Sequence, residues 1–142
     1  MEARTNFDKV VIAAGPSEDR FRVLDGDRVA LSWRAETELI AWSDIVLAHS
    51  VGNHTLFVTC QRELKVRSPL RAVVEKLAPL GLVQVRRDVA VNASRVRRIV
   101  GAGRHRLVII LDDDRCVDVG RQFQPAVRRR FGRGRLERTR RE

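Results

Sequence analysis

The residues best placed to do chemistry lie in the stretch Leu82-Val83-Gln84-Val85-Arg86-Arg87-Asp88-Val89-Ala90-Val91-Asn92. An apolar strand breaks there at two arginines and an aspartate, resumes as Val-Ala-Val and stops at Asn92. Three charges therefore fall at an exposed bend between two buried strands. Bends held out by a stiff sheet are common carriers of recognition side chains, and an arginine fork suits bidentate contact with a guanine edge or a phosphate. Catalytic groupings do not emerge. Asp112-Asp113-Asp114 can offer oxygens to a divalent cation, yet three consecutive residues in a tight connection point in different directions, so a solvated turn is the simpler reading. His49, His54 and His105 lack zinc-type spacing and a Cys or carboxylate partner. Gly101-Ala102-Gly103 is not followed by the rest of any phosphate-loop fingerprint. No enzyme activity, cofactor or metal is expected.

The elements that must hold this bend read mostly as short strands. Phe21–Leu24, Arg28–Trp33 and Glu38–Ala41 are separated by turn-like Asp25-Gly26-Asp27 and Ala35-Glu36. Ile45–Ala48, Thr55–Cys60 and Leu64–Arg67 follow, with Gly52-Asn53 suited to a hairpin turn. One helix is predicted: Ser68 as N-cap, Pro69 in the first turn, then Leu70, Val73, Val74 and Leu77 on one face, ending at Pro79 and Gly81. Strands are expected again over Leu82–Val85, Val89–Val91, Val96–Val100, Arg106–Leu111 and Cys116–Val119. Phe123, Val127 and Phe131 then recur at helical spacing, the pattern of a terminal amphipathic helix. Asn92, ending a buried strand, is expected to hydrogen-bond the adjoining turn.

Charge narrows the partner. The 142 residues carry a formal net charge of +10, which makes polyanions the default partners through counterion release. Residues 1–44 hold 6 bases and 9 acids, 45–127 hold 14 and 7, and 128–142 hold 8 and 2, so the last fifteen alone contribute +6. That run, RRRFGRGRLERTRRE, reads as a solvated tail giving general attraction. Arginine outnumbers lysine 25 to 3; contact geometry favours it, but so would a G+C-rich genome. At 44% hydrophobic residues the chain can build a core. No apolar run approaches the roughly 18 residues of a membrane span, and the N-terminus lacks a secretory h-region. A cytoplasmic protein without membrane contact is expected. Cys60 and Cys116 are expected to be reduced packing residues rather than a disulfide.

The bend resembles the core of the LytTR family of bacterial DNA-binding domains, F-x-R-x-H-R-S-x-x-V-N. Leu82 stands for its Phe, Gln84 for the first Arg, Arg86 for the His, Arg87 for the second Arg and Asp88 for the Ser, with Val91-Asn92 matching. Ser43 to His54 is similar to the family's opening hairpin, with its Asp-Ile strand and Gly-Asn loop. Leu70–Leu77 resembles its single helix, and Val117-Asp118-Val119-Gly120-Arg121 its closing V-S-R, with Gly120 in place of Ser. The resemblance covers about residues 21–131, leaving 1–20 as an N-terminal extension and 132–142 as the basic tail.

The resemblance implies a mainly β, elongated antiparallel domain with one or two short helices, reading consecutive major grooves of duplex DNA from loops. It places base or backbone contacts at His54, Arg87 and Arg121, with Asn53, Arg86 and Gln122 as candidate backbone contacts. Chemically, Arg87 and Arg121 can each fork onto guanine, His54 can donate or accept, and Arg86 with Arg97-Arg98 can attract phosphate. The alternative for each is a solvated surface charge. Asp88 is expected to pair with Arg86 or Arg87, orienting or occupying that fork. The resulting expectation is a bacterial transcriptional regulator, with homodimers on repeated half-sites and a protein partner at the acidic N-terminal segment as options. Residues 1–20 are too few for the receiver domain such regulators often carry. A basic RNA-binding or ribosome-associated protein is the rival, weakened by the absence of Tyr and an aromatic content of 5%; a protein-interaction module is the second.

Overall fold

The computed structural model describes residues 12–13, 21–23, 28–33 and 36–132. Among the described residues twelve strands run in chain order: β1 (Ile12–Ala13), β2 (Phe21–Val23), β3 (Arg28–Trp33), β4 (Glu36–Ala41), β5 (Ile45–Val51), β6 (His54–Thr59), β7 (Glu63–Val66), β8 (Leu82–Arg86), β9 (Val89–Asn92), β10 (Val96–Gly101), β11 (Leu107–Leu111) and β12 (Cys116–Asp118). Helix α1 (Leu70–Leu77) follows β7, and α2 (Gln124–Phe131) closes the described chain. The fold is mainly β.

The strands form a six-stranded sheet ordered β1-β7-β6-β5-β9-β8 and two three-stranded sheets, β2-β3-β4 and β10-β11-β12. All pairings are antiparallel except β1 with β7. The large sheet lies in the middle, because strand alternation sends side chains to both of its faces. Ile45, Ala48, Phe57, Leu64, Leu82 and Ala90 pack with α1 residues Leu70, Val73 and Leu77, and with Val29, Ile40 and Trp42. From the other face, Val46, Leu47, Val58, Val85 and Val91 meet Ile99, Leu107, Ile109, Leu111, Val117, Val119 and Val127. A register shift between Ile45 and Leu47 interrupts the alternation, which lets neighbours Val46 and Leu47 enter the same cluster. Fully burying a Leu or Phe contributes about 1.5–3 kcal/mol relative to exposure, so both clusters bind the layers firmly.

Several local expectations need correction. Pro69, not Ser68, is the N-cap of α1, with no side-chain cap bond. The pre-proline residue avoids helical geometry; Ser68 instead presents its carbonyl to Thr55 Oγ1 at 2.8 Å, and Pro69 O receives the first helical amides. Glu36 belongs to β4, not to a turn, since it pairs with Trp33. Cys60 and Cys116 are free but exposed, not packed; Cys60 follows β6 outside the core, and its Sγ accepts from Arg95 Nη2 at 2.8 Å. Asn92 is buried, donating to Trp42 O at 3.1 Å and Ile45 O at 2.8 Å and accepting from Ser94. It pins the end of β9 to the start of β5. Among the described residues no helix is long and apolar enough to cross a membrane.

Candidate nucleic-acid interface

Three turns meet at one end of the molecule. The first joins β5 to β6: Val51 pairs with His54, leaving only Gly52 and Asn53 outside the ladder. Gly52 has φ 64, whereas Asp114 is the one non-glycine residue at positive φ among those described. Positive φ at the first central position alone marks a type II′ turn, whose twist matches the flanking strands. Asn53 is exposed at its tip, and His54, half-buried, is the first residue of β6 rather than a loop residue.

The second turn, Arg87-Asp88, joins β8 to β9. Arg86 ends β8, and its Nε lies 3.3 Å from Asp88 Oδ1, so the aspartate engages Arg86 and leaves Arg87 exposed without an ion pair among the described residues. Gln84 Nε2 donates to the carbonyls of Arg86 at 3.1 Å and Arg87 at 3.3 Å. The residue standing for the family's first arginine thus fastens the turn from beneath. Ser50 N donates to Asp88 O at 2.9 Å, joining the first turn to the second. Because β5 pairs with both β6 and β9, the centres of the two turns are two strand spacings apart, about 10 Å.

The third turn, Arg121–Phe123, follows β12 as a single 3-10 turn. Gly120 N donates to Val85 O at 2.8 Å. A Cβ on Gly120 would stand 3.3 Å from Phe123 Cδ2 and 3.7 Å from the Arg86 Cα, so the absent side chain lets this segment close against β8. Arg121 and Gln122 are exposed. His54, Asn53, Arg86, Arg87, Arg121 and Gln122, scattered over 70 positions in sequence, are thereby gathered by two backbone hydrogen bonds.

Sequence reading did not single out Gln84 as a fastener, nor the β10–β11 connection as part of this end. That connection is held beside the third turn: Gln124 Nε2 donates to His105 O at 2.9 Å, and Val119 N to Leu107 O at 2.9 Å. Its signal in the sequence is the basic triplet Arg104-His105-Arg106, directly after Gly103. Arg97 and Arg98 lie elsewhere. Arg97 bonds Asp114 at 2.7 Å at the opposite end, where Asp112-Asp113-Asp114 turns β11 into β12. There Arg95 donates to Asp112 and to Ser43 O, and Arg115 donates to Asp113 at 2.9 Å. Partial burial disfavours charge on Arg95, but Asp112 and Cys60 outweigh it and raise its pKa. At Asp113 a slight desolvation is likewise overcome, by the backbone and side chain of Arg115, which hold the carboxyl below its ordinary range. No group of three or more His, Cys, Asp or Glu among the described residues is arranged to hold a metal ion.

A sequence model of the LytTr DNA-binding domain matches residues 35–132, well over half of the chain. The chain belongs to the LytTR family. No curated protein matches it by sequence. Among solved structures, the LytTR fold recurs in a LytTr DNA-binding domain from Bacillus cereus, with a TM-score of 0.64 over 75% of this chain and 98% of that one. At 16% identity that likeness concerns the fold. LytTR domains are the DNA-binding domains of transcription regulators, so the gathered turns belong to a DNA-binding unit.

Proposed function

We propose that the protein binds double-stranded DNA sequence-specifically as a bacterial, cytoplasmic transcription regulator, reading major grooves from its turns. The observation that carries this reading is the convergence of the three turns, with Arg87 and Arg121 exposed and free of ion pairs among the described residues. Arg87 and Arg121 are assigned bidentate contact with guanine, and His54 a base edge or a phosphate. Asn53, Arg86 and Gln122 are assigned to the sugar-phosphate backbone, where contacts set register without carrying sequence information. About 10 Å between the centres of the first two turns sets Asn53 and Arg87 side by side at one end of the large sheet, where both can face the same duplex. Asp88, which lies against Arg86 rather than Arg87, is assigned the role of orienting Arg86. Residues 21–131 are taken as the binding unit and 132–142 as a basic tail.

Selection of bound sequences from a random duplex pool tests the reading, followed by fluorescence anisotropy on the selected duplex, single-stranded DNA and structured RNA at several salt concentrations. A recurrent motif and a preference for the selected duplex are expected. Equal affinity for scrambled duplexes, or a preference for RNA, would overturn it.

A further inference from the structure

The β10–β11 connection is left unused by the three-turn reading. It runs Ala102-Gly103-Arg104-His105-Arg106, and every residue from Gly103 to Arg106 is exposed. The loop is nevertheless fixed at its base: Ala102 N donates to Arg106 O at 2.9 Å, and Gly103 turns at φ 94. It is also fixed at its side, through the Gln124 amide on His105 O. Gln124 follows the Arg121–Phe123 turn directly. A chain of hydrogen bonds therefore runs from Ser50 to Asp88, from Val85 to Gly120 and from Gln124 to His105, and aligns four turns rather than three.

The two ends of the molecule treat arginine differently. At the end opposite the four turns, Arg95, Arg97 and Arg115 each bond one aspartate of the Asp112-Asp113-Asp114 turn. Within the four-turn end, Arg106 bonds Asp118 at 3.1 Å, but Arg104 forms no ion pair among the described residues. An exposed, unneutralised guanidinium on a loop held by its neighbours gains most from an outside anion. The loop belongs to the layer that packs over the large sheet, about 10 Å from the sheet carrying the first two turns. That offset sets the loop apart from the two turns on the large sheet, on the side of the Arg121 turn.

We infer that the 102–106 loop is a fourth contact element that clamps the phosphate backbone beside the groove, with Arg104 as its charge-bearing residue and His105 beside it. The inference rests on the duplex-binding reading above and adds a sequence-independent contact to it. Gly103 gives the loop its left-handed turn, Arg106 is held back by Asp118, and Arg104 is left to reach outward.

The test is anisotropy of the full chain and the variants Arg104→Gln and Arg115→Gln on a selected and a scrambled duplex between 50 and 200 mM salt. Arg115→Gln removes the same charge from the opposite end. Arg104→Gln is expected to weaken both duplexes by the same factor and to lower the slope of log affinity against log salt by about 0.9. Equivalently, its deficit relative to wild type should be about 3.5-fold larger at 50 mM than at 200 mM. Arg115→Gln should leave the slope near that of wild type. If Arg104→Gln binds as wild type does while wild type still prefers the selected duplex, the loop is no contact and the three-turn reading stands. If Arg104→Gln weakens only the selected duplex, Arg104 reads a base and the phosphate role is wrong. If wild type shows no affinity for duplex, both readings fall.

Discussion

Two arginines, Arg87 and Arg121, are assigned the same task from different supports. Arg87 sits in a two-residue turn fastened by Gln84, and its neighbour Arg86 engages the adjacent carboxylate of Asp88. Arg121 opens a 3-10 turn held by the Gly120 amide. Either residue changed to Ala should lower affinity for a selected duplex by about 1–3 kcal/mol and leave scrambled duplexes nearly unchanged; competition anisotropy measures both, and equal weakening of all sequences would make that residue a phosphate contact. Asp88→Asn should separate orientation from repulsion, since the amide keeps the shape but loses the charge that holds Arg86. At the opposite end, Asp113 supports a pH prediction. Its carboxyl titrates below the ordinary value of 3.8 because Arg115 stabilises the charged form against slight desolvation. A depressed carboxyl stabilises the fold above its unfolded pKa and stops doing so as pH falls through the folded one. Wild type should therefore lose more stability than Asp113→Asn as pH drops below about 4, by a small margin for so exposed a pair. Parallel denaturation curves for the two proteins down to that range would remove Asp113 from the acid response.

At the scale of elements, the hairpin and the β9 pin decide whether the turns stay in line. A Cβ on Gly52, at φ 64, would meet nothing within 4 Å, so Gly52→Ala meets only backbone strain, about 1–2 kcal/mol. It should reduce stability by that amount and weaken the selected duplex more than scrambled ones, as His54 and Asn53 shift; unchanged urea midpoint would show that the turn relaxes freely. Asn92→Leu leaves the Trp42 and Ile45 carbonyls without their buried donor and should cost about 2–5 kcal/mol in chemical denaturation. A loss below about 1 kcal/mol would mean that those carbonyls find other partners. Both elements were legible in sequence, because Gly-Asn between alternating strands and an amide ending a buried run are local signals. So were the fold class, α1 with its Leu70, Val73 and Leu77 face, and the bend at Arg87. What was not legible depended on tertiary pairing. The register that makes His54 a strand residue is set by Val51 opposite it, and Ser68 lost the cap to Pro69 because its carbonyl is drawn to Thr55. The exposure of both cysteines and the arrival of the 102–106 loop beside Arg121 follow from how sheets stack, which no spacing along the chain encodes.

For the whole molecule, the location of charge matters more than its sum. A net charge of +10 would attract any polyanion, but Arg95, Arg97 and Arg115 are bonded to the Asp112-Asp113-Asp114 turn, whereas on the four-turn end Arg86 and Arg106 are held by Asp88 and Asp118 and Arg87, Arg104 and Arg121 form no ion pair among the described residues. The paired set cannot release counterions from DNA as freely, so the duplex should meet the molecule end-on, with the acidic turn held away. Residues 133–142, outside the described part, carry 5 arginines and 2 glutamates. Their contribution is additive attraction if the turns do the reading. A chain ending at Gly132, which keeps the residue that follows α2, isolates that contribution. It should bind every duplex more weakly at low salt, with a slope of log affinity against log salt reduced by at most about 4.5, which is 0.9 for each arginine removed. The ratio of affinities for selected and scrambled duplexes should not change. Should that ratio collapse while the fold remains intact by circular dichroism, the basic segment itself enters a groove and the division of labour between end and tail is wrong.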